Sequence, residues 1–104
     1  MGALLVITTV PDPGLAVKVA EALVHARIAA CVHALPPGQS TYRWQDKVET
    51  SAETTLLIKT TAEKYPELEA ALRGLHPYEI PEILALPVSA GWPPYLAWIH
   101  DATA

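Results

Sequence analysis

The sequence predicts an α+β sandwich with the element order βαββαβ, a long β-hairpin and an extra C-terminal helix. Three observations predict it. Short apolar or β-branched runs recur at Leu4–Thr9, Ile28–Leu35, Thr54–Thr61 and Ile83–Val88. Between the first and second runs, and between the third and fourth, apolar residues return at helical spacing. Turn formers, including many of the 10 prolines, punctuate the joints.

Taken in order, Leu4–Thr9 is a strand ended by Pro11. Asp12 before Pro13 makes a good N-cap and first-turn pair, and Leu15, Val19, Ala22, Leu23 and Ala26 mark the first helix. Ile28–Leu35 is the second strand, halted by Pro36-Pro37-Gly38. Thr41–Trp44 is extended again, Gln45-Asp46-Lys47 is a turn, and Val48 begins the return towards the third strand, Thr54–Thr61. Thr60 and Glu63 have capping-box spacing for a second helix carrying Leu68, Leu72 and Leu75, which Gly74 helps to end. Ile83–Val88 is the fourth strand, and Pro93-Pro94 opens a last helix with Tyr95, Trp98 and Ile99. This order is the split βαβ, or ferredoxin-like, pattern. No linker or short-period repeat divides it, so residues 1–104 are expected to be a single domain.

Composition removes several function classes. Net charge is −4 and no Lys/Arg cluster exists, so a phosphate-tracking nucleic-acid surface is not expected. No apolar run approaches the roughly 20 residues of a membrane span. The apolar start MGALLVITTV has a strand's length and no basic n-region, so it does not read as a signal peptide. A single Cys31 allows no intrachain disulfide and fits a reducing compartment, so the expected location is the cytoplasm. Absence of Asn together with frequent Pro is consistent with heat tolerance. No nucleophile elbow, P-loop, dinucleotide fingerprint or HExxH motif occurs, so no catalytic set is complete.

Two strands are apolar on both faces. Leu4 and Val6 oppose Leu5 and Ile7, and Leu56 and Ile58 oppose Leu57. Helices on one side leave the other to be covered, and another subunit is the simplest cover. The hairpin carries Tyr42 and Trp44 near its tip, where aromatic side chains make good interface anchors; Trp98 on the last helix is a third candidate.

For chemistry, Cys31 and His33 lie two apart on a strand and share a face. Thiolate and imidazole are ligands for copper or zinc. The alternative, preferred for Cys31, is a buried thiol beside a hydrogen-bonded histidine, in a stretch of Ala29, Ala30 and Val32 without an electropositive setting. His76 lies in a loop with Tyr78, Glu79 and Glu82, a group suited to metal ligation or proton transfer, or to packing stiffened by Pro77 and Pro81. Glu79 and Glu82 could form a carboxylate pair; the preferred reading is solvated charges or partners of Lys59 or Arg43.

These residues resemble a known family. Arg27-Ile28-Ala29-Ala30-Cys31-Val32, the hairpin Tyr42-Arg43-Trp44 with Lys47-Val48-Glu49, Leu57-Ile58-Lys59-Thr60-Thr61, and Tyr95-Leu96-Ala97-Trp98-Ile99 are all similar to CutA proteins. The most specific block is His76-Pro77-Tyr78-Glu79-Ile80-Pro81-Glu82-Ile83. The resemblance implies a homotrimer related in fold to PII signalling proteins, with no established reaction and a role in tolerance of divalent metals, copper above all. It also exposes a departure: His33 stands where the family usually has Asn. The expected function is a non-catalytic homotrimer that binds divalent cations weakly, with Cys31, His76, Glu79 and His33 as candidate ligands. A PII-like small-molecule-binding signalling trimer, with an unidentified ligand or protein partner, and a structural scaffold trimer are the alternatives.

Overall fold

The structure is a computed structural model and describes residues 2–104. Its elements run β1 (Ala3–Val10), α1 (Pro13–His25), β2 (Cys31–Ala34), β3 (Gly38–Trp44), β4 (Lys47–Thr61), α2 (Tyr65–Leu75), β5 (Leu84–Pro87) and α3 (Pro93–Ala102). The expected α+β class holds: β2-β4-β1-β5 form an antiparallel sheet, and β3 pairs with β4 beyond it.

The start of α1 follows the sequence signal. Asp12 is extended, and its Oδ1 accepts from the Leu15 amide at 2.8 Å, with Pro13 next in the chain. The end of α1 explains why β2 begins at Cys31 and not at Ile28. The Arg27 amide donates to Val24 O and the Ile28 amide to Leu23 O, the paired bonds of a Schellman motif. Arg27 sits at φ 60°, a position glycine usually fills, so residues 27–30 are spent reversing the chain.

Helices α1 and α2 cover one sheet face. Val6, Val10, Leu56 and Ile58 from the sheet pack with Ala16, Val19 and Leu23 of α1 and Leu68 and Leu72 of α2. Each large aliphatic side chain buried this way contributes about 1.5–3 kcal/mol. The expected capping box is not formed. Thr60 is a fully buried residue of β4 whose hydroxyl donates to Ile28 O at 2.6 Å, and α2 starts instead from Lys64, whose amide donates to Thr61 Oγ1 at 3.3 Å.

The opposite face is nearly bare. Leu5, Ile7 and Leu57 are only half-buried, and their cross-strand neighbours Leu84 and Leu86 on β5 are 56% and 43% exposed. Helix α3 covers one end alone, where Ile99 packs on Ala3 and Ala30 with Leu96 and Ala102 alongside.

β4 is the longest element, 15 residues without a break, where the sequence suggested a return strand and a separate third strand. Its second half, Thr54–Thr61, is flanked by β1, with β2 on its other side over Leu56–Lys59. Its first half, Lys47–Glu53, pairs with β3 only, because β1 stops at the Val10↔Thr54 pair. The result is a two-stranded arm reaching past the sandwich, and the molecule is 44 Å long against 26 and 24 Å in the other directions. Pro36 and Pro37, which have no amide to donate, separate β2 from β3 along the same edge of β4. Gln45 and Asp46 close the arm with φ of 50° and 65°, the left-handed pair that a two-residue hairpin turn demands.

Candidate functional site

The expected site residues fall into two separate places. Cys31 and His33 lie on β2, opposite Lys59 and Leu57 on β4, on the bare face of the sheet. Cys31 is half-buried and His33 is exposed. Lys59 Nζ lies 3.7 Å from Cys31 Sγ and donates to it. The thiol therefore has a cationic neighbour after all. The charge comes from across the sheet, 28 residues away in sequence, and only strand register reveals it.

His76 is elsewhere. It follows α2, is 9% exposed, and both ring nitrogens are engaged within the chain. Nδ1 accepts from the Tyr78 amide at 3.2 Å, which makes Nε2 the protonated nitrogen, and Nε2 donates to the Thr9 carbonyl at 2.6 Å. The Tyr78 ring stands 4.7 Å away at 49°. With both nitrogens occupied, His76 has no lone pair free for a metal in this conformation. Cys31 lies in the Lys59–Leu5 row and His76 at Thr9, four residues further along β1, so roughly 13 Å of strand separates the two rows. The thiol and this imidazole cannot share one ion within a chain.

Beside His76, the arm and the 77–82 loop enclose an open cleft of about 900 Å³. Tyr42, Trp44, Glu49, Glu53, Tyr78 and Glu79 line it, with Arg43, Ile80 and Glu82. Burial, then the neighbouring Glu53 carboxylate, pushes the Tyr78 phenol up to about 12. Glu79 and Glu82 are not paired with Lys59 or Arg43; among the described residues the side-chain ion pair within 4 Å is Lys64–Glu67, at 3.9 Å. Nor, among the described residues, do three His, Cys, Asp or Glu side chains converge as a metal-binding group.

The three expected interface aromatics are partly exposed: Tyr42 38%, Trp44 36% and Trp98 44%. Tyr42 hydrogen-bonds across the arm to Ser51 at 3.2 Å, and Trp98 stands 5.5 Å from the Tyr95 ring on α3. Sequence reasoning passed over Glu53, which faces Tyr78 across the cleft; its place in a polar, non-alternating run gave no signal. Among the described residues no helix is long and apolar enough to cross a membrane.

Comparison with known proteins agrees with this architecture. Residues 4–102 match the family described as CutA1 divalent ion tolerance protein. The divalent-cation tolerance protein CutA of Thermus thermophilus is 45% identical over 98 residues, covering 94% of this chain and 95% of that one. Protein CutA of mouse is 43% identical over 95 residues, 91% of this chain, which spans about half (54%) of the mouse protein's length. The crystal structure of CutA from Xylella fastidiosa superposes with a TM-score of 0.97 at 44% identity, covering 100% of both chains. With the sandwich, the arm and the His76–Glu82 loop all matched in order, the chain belongs to the CutA1 divalent ion tolerance family.

Proposed function

We propose that this protein acts as a non-catalytic homotrimer serving divalent-cation tolerance, and that it binds a divalent cation, copper foremost, weakly and with donors from more than one subunit. The observation that carries the reading is the bare apolar face of Leu5, Ile7, Leu57, Leu84 and Leu86, flanked by a two-stranded arm whose outer edges are unpaired. Water is a poor neighbour for such a face, and a second copy offers both apolar cover and strand partners. The number three and the cation role rest on the family. Shared ligation is part of the proposal because, among the described residues, one chain gathers no three donors. Exposed His33 and half-buried Cys31 on β2, and Glu79 in the cleft, are the side chains offered to such a site. Copper leads the divalent series for nitrogen and sulfur donors, so it binds best there.

The test combines light scattering at micromolar concentration with copper calorimetry on wild type, Cys31→Ser, His33→Ala and Glu79→Gln. A trimeric mass, and weakened copper binding in at least one variant, supports the reading. A monomeric mass, or copper affinity unchanged in all three variants, overturns the corresponding half. A second reading, a PII-like module binding a small molecule, is favoured by the aromatic and carboxylate cleft of about 900 Å³. A thermal-shift screen of nucleotides and other metabolites tests it, since a ligand specific to the folded state raises the melting temperature.

A further inference from the structure

We propose that the cleft between the arm and the 77–82 loop binds a linear aliphatic polyamine, its ammonium groups held by carboxylates on both walls and its methylene stem lying across the Tyr42 and Tyr78 rings. This rests on the small-molecule reading of the cleft and is independent of cation tolerance. Strand register builds the first wall. Tyr42 pairs with Glu49, and Gly38 with Glu53, so alternation puts Tyr42, Glu49 and Glu53 on one face of the arm. All three line the cleft of about 900 Å³. Arg43, the one cation among the lining residues, pairs with Val48 and so leaves its strand on the arm's other face. The cation on the cleft side of the arm is Lys47, at the tip and beyond the lining residues.

The 77–82 loop builds the second wall. It brings Tyr78, Glu79 and Glu82 to the same space and is stiffened by Pro77 and Pro81. Four carboxylates therefore border one cleft without an ion-pair partner, since among the described residues the side-chain ion pair within 4 Å is elsewhere, at Lys64–Glu67. The Tyr78 phenol responds to that surplus of negative charge. Burial acts on it first, and Glu53 and then Tyr42 help to keep its proton in place.

Spacing and surroundings select the ligand class. Glu49 and Glu53 are four residues apart on one strand, roughly 13 Å, too far to share one ion. Nor, among the described residues, do three donors converge as a metal-binding group. A chain with several separated positive charges can meet carboxylates on both walls at once. The two rings favour a cation carried on an apolar stem, because an aromatic face attracts an ammonium and packs against the methylenes beside it. Alkyl ammonium groups stay charged at neutral pH, as lysine does. An anion would meet four like charges, and a neutral ligand would leave them unanswered. The volume falls within the range of ordinary small-molecule pockets.

The experiment uses the full chain in its native assembly state, after chelation and at physiological ionic strength. Spermidine is titrated by calorimetry, with an uncharged diol of similar length as the control. Spermidine should bind at one site per chain, and the diol should not bind. Glu53→Gln and Glu82→Gln should each weaken spermidine binding about two- to fivefold, and the two together about tenfold or more. Tyr42→Leu should cost about two- to fivefold through its lost ring. Glu21→Gln, which removes the same charge from the exposed side of α1, should leave the affinity unchanged. Light scattering and circular dichroism check that each variant keeps the wild-type mass and fold; if Tyr42→Leu alters the mass, the carboxylate variants decide. The proposal is overturned if spermidine does not bind, if the diol binds equally well, or if Glu21→Gln weakens binding as much as Glu53→Gln. Should spermidine fail while another metabolite raises the melting temperature and loses that effect in Glu53→Gln, the small-molecule reading stands and the polyamine is excluded.

Discussion

The His76 Nε2–H bonds to the Thr9 carbonyl at 2.6 Å, across 67 residues of sequence, and so fastens the end of α2 to the far end of β1. The same ring takes the Tyr78 amide on Nδ1, which aims the 77–82 loop at the arm. One imidazole thus holds the base of the cleft.

His76→Ala leaves the Thr9 carbonyl and the Tyr78 amide without their partner. A buried group stripped this way costs about 1–3 kcal/mol, so urea unfolding should show a lower midpoint with an unchanged slope. Copper affinity should stay at the wild-type value while the variant is folded. A tenfold loss of affinity in folded protein would return His76 to the ligand set.

Two threonines of the covered layer should respond in opposite ways. Thr60 Oγ1 has its partner in Ile28 O, so Thr60→Val should cost about 1 kcal/mol and leave that carbonyl short of a donor. Thr8 Oγ1 is buried with no hydrogen-bond partner in the protein, so Thr8→Val should be neutral or stabilising. Equal destabilisation of both in denaturant melts would contradict the bonding described.

Trp44→Ala and Trp98→Ala test the aromatic anchors. If each fills a pocket on a neighbouring copy, loss should weaken assembly by about 2 kcal/mol or more, seen as a concentration-dependent fall in mass by light scattering. Mass and melting temperature both unchanged would remove the residue from the interface.

Alkaline pH should weaken the fold through Tyr78. Its folded value is raised from 10.0 to about 12, so the native state holds the phenolic proton where the unfolded state releases it. The stabilisation is complete below pH 10 and is lost as pH climbs from about 10 to 12. Tyr65, also raised by burial and then Glu69, adds in the same direction. Tyr78→Phe should flatten the fall in stability over that window, measured by denaturant midpoints at several pH values.

Much of the fold was legible because its signals are local. Asp12-Pro13 capped α1 as read, and Leu68 and Leu72 turned inward at helical spacing. The double-sided apolarity of β1 and β4 pointed to a bare face, which the structure has. What escaped depended on distant partners. The stretch Glu49-Thr50-Ser51-Ala52-Glu53 gave no strand signal because the arm has no core against which to alternate. Thr60 passed as a helix cap because its real partner, Ile28 O, lies 32 residues earlier. Lys59 beside Cys31 and Glu53 beside Tyr78 were invisible for the same reason: register, not spacing, makes them neighbours.

The unbroken course of β4 fixes how tightly each of its amide protons is held. From Thr54 to Thr61 β1 closes one edge, with β2 on the other over part of that span, so deuterium should enter these amides slowly. From Lys47 to Glu53 only the edge towards β3 is paired. Alternate amides there point at nothing in this chain and should exchange within the dead time of a mixing experiment. A monomer would therefore show a two-residue beat of fast and slow exchange along the arm, ending abruptly at Thr54. In an assembly whose neighbouring copy adds a strand at that edge, the beat disappears, and the amides of Lys47–Glu53 read out the partner's presence residue by residue.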